Sequence, residues 1–88
     1  MSYSISALGD SALTVDFGNI ISLEINTKVL LLVKAIERAG LIAIKDIVPA
    51  YSSVTIHYDV IMLLRQHKNK SAFTLMSEQM EALLSQPV

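Results

Sequence analysis

Ser53, Thr55, His57 and Asp59 recur at every second position near the middle of the chain. In an extended segment that spacing puts hydroxyl, imidazole and carboxylate groups on one face. These are the residue types from which a nucleophile, its base and an orienting acid are assembled. The same spacing argues against that chemistry. Side chains in a row along one strand project the same way and do not converge. The competing reading is a solvated polar face, with Asp59 capping a following helix. His57 and His67 are the only histidines and there is no cysteine, so the ligand patterns of a metal site are missing. Gly9, Gly18 and Gly40 are scattered and form no phosphate-binding loop. No catalytic residue, metal ligand or cofactor is therefore assigned.

The elements that carry these residues are legible from hydrophobic period. Tyr3, Ile5 and Ala7 alternate with serines, and Leu13, Val15 and Phe17 alternate with Ala12, Thr14 and Asp16. Two half-buried strands, Tyr3–Leu8 and Ala12–Phe17, are expected as an antiparallel hairpin around Gly9-Asp10-Ser11. Gly18-Asn19 ends it. Ser22 then caps a helix over Leu23–Ala39, with Ile25, Val29, Leu32, Val33 and Ile36 at helical spacing. Glu24 suits its first turn and pairs with Lys28, and Gly40 stops it. Leu30 and Leu31 widen the apolar face and are candidates for a second contact surface. Ile42–Val48 reads as a third strand with a bulge around Lys45-Asp46. Val54, Ile56 and Tyr58 make a fourth, joined to it through Pro49-Ala50-Tyr51-Ser52. Proline suits a strand end, because it cannot donate to a ladder.

Tyr51 at this hairpin tip is a partner-contact candidate, unless its ring lies over the sheet edge. Asp59 caps a short helical turn, Val60–Gln66. The basic run "RQHKNKS" reads as a solvated loop. Ser71 caps a last helix, Ala72–Leu84, and Pro87 stops it. Met76 and Met80 on that helix serve either as core filler or as an adaptable partner surface. The order ββαββα gives an α+β fold, a two-layer sandwich with a mainly antiparallel four-stranded sheet.

Composition narrows the function classes. The chain has 88 residues, room for one domain, and 52% of them are hydrophobic. Mean hydropathy is +0.51. So apolar a small domain has either an unusually apolar core or apolar surface awaiting cover. Seven basic and eight acidic residues give a net charge of −1, without the basic excess of a nucleic-acid binder. No apolar run is long enough to span a bilayer, and the opening "MSYSISALGD", with no basic region and no long apolar run, does not read as a signal peptide. A reducing, cytoplasmic setting fits a chain without cysteine.

Two motifs add a resemblance. "LGDSALTVDFG" (Leu8–Gly18) and "VPAYSSVTIHYD" (Val48–Asp59), separated by a helix opening "ISLEINTKV", resemble the N-terminal domain of the KipI family. That family includes a bacterial sporulation-kinase inhibitor, the B subunit of 5-oxoprolinase and allophanate hydrolase subunit 1. Its motif maps onto Gly9, Asp10, Pro49, Tyr51 and Asp59, which look like turn and cap residues. The resemblance implies that residues 1–88 are the N-terminal domain alone, without the family's C-terminal cyclophilin-like barrel. It implies a non-catalytic interaction domain that binds a sensor histidine kinase. The alternative is an accessory domain in ATP-dependent 5-oxoproline hydrolysis, working beside an A-type partner subunit. A homodimer is also expected, through a sheet edge or through the surface a following domain would cover.

Overall fold

The computed structural model describes residues 3–18, 22–66 and 69–85. Asn19, His67 and Pro87, each given a part above, lie outside them. Along the chain come β1 (Ser4–Ala7), β2 (Ala12–Asp16), α1 (Leu23–Ala39), β3 (Ile44–Pro49), β4 (Ser53–Tyr58), α2 (Val60–Gln66) and α3 (Ala72–Leu84). The segment after Asp59 is thus a helix in its own right, and the order is ββαββαα.

The four strands form one antiparallel sheet in the order β1-β2-β4-β3. The two hairpins join through their second strands, with Leu13 opposite Ile56 and Val15 opposite Val54. This places β2 and β4 at the centre and β1 and β3 at the edges. It also explains the burial. Leu13, Val15, Val54, Ile56 and Tyr58 point to one face, where they meet Val29, Leu32 and Ile36 of α1 and Leu75, Met76 and Met80 of α3. The other face carries Ser6, Thr14, Thr55 and His57 and has no helix over it among the described residues. A one-sided sheet of this kind reads as clean apolar–polar alternation, the pattern found in β2 and β4.

Local chemistry sets the ends of the elements. The Ser22 hydroxyl accepts from the Ile25 N–H at 3.1 Å, and Ser71 accepts likewise from Thr74. Gly40 closes α1 with φ of 60°, a left-handed conformation that costs a side-chain-bearing residue and suits glycine. Gly9 takes φ of 68° in the β1–β2 turn. The β3 boundary differs from the expected Ile42–Val48. Leu41 to Ala43 form a turn closed by the Ile44 N–H on the Leu41 carbonyl, and Ile42 is exposed. The strand starts at Ile44, the bulge falls between Ile44 and Asp46, and the ladder runs on to Pro49 opposite Val54.

Candidate partner interface

The outward face of α1 is the first surface the fold leaves uncovered. Val29, Leu32 and Ile36 are buried against the sheet. At 3.6 residues per turn, Leu23, Thr27, Leu30, Leu31 and Lys34 fall on the opposite side. Leu30 is 52% exposed, Leu31 43% and Leu23 82%. The sequence singled out Leu30 and Leu31. Leu23 escaped because it opens the helix, where its period has no earlier turn to be read against.

Tyr51 lies beside this face. Its backbone carbonyl accepts from the Asn26 side chain at 3.4 Å, which ties the β3–β4 hairpin tip to the start of α1. Asn26 and Leu30 are one turn apart on the helix, so Leu30 lies one turn beyond the residue that Tyr51 meets. The Tyr51 ring is half exposed, not buried against the sheet.

Met76 and Met80 require a correction. Their side chains are 1% and 0% exposed and stand in the central cluster. Ala72, Leu75, Met76 and Met80 repeat at three- and four-residue intervals, and that stripe is the one α3 turns to the sheet. Both methionines fill the core and present nothing to a partner.

The polar row of β4 has structural duties. The Thr55 hydroxyl pairs with that of Thr14 at 3.1 Å across the strands. His57 stands opposite Ala12 on one side and Asp46 on the other, and the Asp46 carboxylate is taken by the Ile47 N–H at 3.0 Å. Asp59 lies beyond the strand and caps α2, accepting from the Met62 N–H at 3.0 Å. The Thr55 hydroxyl and the two carboxylates therefore have separate partners, and none of these bonds involves the His57 imidazole. The motif residues behave as turn-makers: Gly9 and Asp10 in the first hairpin turn, Pro49 at the end of β3, Asp59 at the cap. A shallow groove of about 310 Å³ runs between α2 and α3, and its two charged lining residues, Lys70 and Glu78, satisfy one another at 2.9 Å.

Sequence reasoning missed Ile61 and Leu64 on α2, both exposed while Leu63 is buried. The signal was the run "VIMLL", too continuous to be spent on one face of a two-turn helix. Among the described residues no helix is long and apolar enough to cross a membrane, and no three His, Asp or Glu side chains gather as potential metal ligands.

Comparison with known proteins places the chain in a family. A family model described as the carboxyltransferase domain, subdomain C and D, matches residues 3–87. Among solved structures, the N-terminal domain of the histidine kinase inhibitor KipI from Bacillus subtilis superposes with a TM-score of 0.79 at 29% identity, covering 96% of this chain and 85% of that one. A conserved uncharacterized protein from Pyrococcus horikoshii superposes with a TM-score of 0.71 at 32% identity, over 92% of this chain. This chain spans only 36% of the Pyrococcus protein's length. No curated protein matches it.

Proposed function

Because the chain belongs to the carboxyltransferase subdomain C and D family and is a KipI-like domain, we propose that it is a non-catalytic protein-interaction module that restrains a sensor histidine kinase. The observation that carries this reading is the match to the N-terminal domain of a histidine kinase inhibitor along nearly the whole of both chains. The exposed face of α1 supports it, since a helix with leucines on both sides is half prepared for a partner. Leu30, Leu31 and Tyr51 are the contact residues of this reading, and self-association accompanies it. The chain does the work of the family's N-terminal domain.

The test is autophosphorylation of a sporulation-type sensor histidine kinase, followed with labelled ATP as the chain is added. Inhibition that weakens with Leu30→Lys and Tyr51→Ala is the expected result. An unchanged rate, with no binding by calorimetry, would overturn the proposal. A second reading, as an accessory domain of an enzyme subunit in 5-oxoproline or allophanate hydrolysis, draws on the family's description as a carboxyltransferase domain. It requires an A-type partner subunit to supply the reacting groups.

A further inference from the structure

We propose that the outer edge of β1 is a strand-docking site, and that its occupant is β1 of a second copy of this chain. This deepens the interaction-module reading and rests on it. The argument starts from which backbone groups point outward. In an antiparallel ladder, residues alternate between bonding one neighbour strand and the other side. The Leu8 N–H bonds the Ala12 carbonyl, so the residues of β1 that bond β2 are Ser6 and Ser4, and the N–H and C=O groups of Ile5 and Ala7 face away from the sheet. Among the described residues no strand pairs with them.

The opposite edge is blocked. The same alternation, read from the Ala50 N–H on the Ser53 carbonyl, turns Ile47 and Pro49 outward on β3. The Ile47 N–H is occupied by the Asp46 carboxylate, Pro49 has no N–H, and the bulge at Lys45 interrupts the run. Proline, charge and bulge are the devices that protect sheet edges from pairing. β1 has none of them.

The side chains define the occupant. The helices pack over β2, β4 and β3, leaving β1 with little cover: Tyr3, Ala7 and Leu8 are exposed and Ile5 is half-buried. An added strand must therefore bring its own apolar groups, at alternate positions, to the helix side. β1 itself has that pattern. A two-fold axis perpendicular to the sheet would set Ile5 opposite its counterpart and Tyr3 opposite Ala7 of the second copy, with both sets of helices on one side. Two-fold pairing brings like residues together, which a charged edge would resist. Tyr3 to Leu8 carry no charge. The strand is short, and so small a contact falls well below the roughly 1,600 Å² of a standard interface, so the dimer is weak.

The experiment is sedimentation equilibrium on the full chain, with Ala7→Pro and Leu30→Lys beside it, and urea midpoints for each. Ala7→Pro removes an outward donor and leaves the bonds of Ser4 and Ser6 to β2 in place, so folding is retained. It should weaken dimerisation about tenfold or more, while Leu30→Lys leaves it unchanged. Hydrogen exchange on the wild type keeps the test open should Ala7→Pro fail to fold: the Ile5 and Ala7 amides should gain protection as concentration rises. A monomer throughout, a dimer indifferent to Ala7→Pro, or amides that exchange alike at all concentrations overturns the proposal. Protection of those amides only when kinase is added would overturn it too, in favour of a foreign strand. Kinase inhibition by the wild type is scored separately, so the interaction reading stands or falls by itself.

Discussion

Tyr58 is a buried side chain whose contribution to stability depends on pH. It is 1% exposed, and its hydroxyl reaches the Ala12 carbonyl at 3.4 Å. Burial pushes the phenol above its ordinary value of 10.0. The folded chain therefore holds this proton where the unfolded chain releases it. Its contribution to stability is whole below pH ~10 and declines as pH rises beyond that. Urea midpoints measured upward from neutral pH should fall in that window, and fall less in Tyr58→Phe. At neutral pH the Phe variant should cost under about 1 kcal/mol, because the Ala12 carbonyl also accepts from the Leu8 N–H at 2.9 Å. Gly40 is a second residue whose conformation decides its role. There is open space around the site a Cβ would take, so the cost of Gly40→Val is conformational. A loss of roughly 1 kcal/mol or more in a denaturant melt is expected.

At the scale of elements, α1 and α3 pose the same question with opposite answers. Each is rich in long apolar side chains. On α3 the stripe through Met76 and Met80 is spent on the core, whereas on α1 the stripe through Leu30 and Leu31 is left over. A charge distinguishes them. Met80→Lys puts an unpaired ammonium into the central cluster, a change of about 3–5 kcal/mol, comparable with the whole stability of a small domain. It should abolish the cooperative far-UV melt. Leu30→Lys meets solvent and should shift the melt by no more than about 0.5 kcal/mol.

For the molecule as a whole, the layers divide the labour. Helices cover one face of the sheet, the other is mainly polar, and exposed apolar side chains lie on the outside of α1, on α2, along β1, and at Ile42, Val48 and Tyr51 around β3. Asp46 and Asp59, the carboxylates flanking His57, are committed to a backbone amide and a helix cap. Incubated alone with ATP and 5-oxoproline, the chain should show no turnover. A rate above blank that vanished in His57→Ala would count against the interaction module and in favour of the enzyme reading.

Most of the local structure is legible in the sequence, because it depends on short-range periods and caps. Ser22, Gly40 and the spacing from Ile25 to Ile36 were enough to bound α1 at Leu23 and Ala39. The slip in phase between Ile44 and Ile47 was enough to locate the bulge. The family could also be read from two turn motifs, since glycine, proline and aspartate at fixed spacing leave an imprint independent of burial. What the sequence left open was whether the α3 stripe through Met76 and Met80 is core or surface, which the packing of the helices on the sheet decides. Met80 and Leu30 look alike in sequence, and their fates depend on where α1 and α3 cross the sheet. The pairing of β2 with β4 was likewise out of reach, because it joins residues some forty positions apart (Thr14 and Thr55 among them) through a contact that no local signal encodes. That pairing makes β1 and β3 the edges, and so decides which backbone groups are left facing outward.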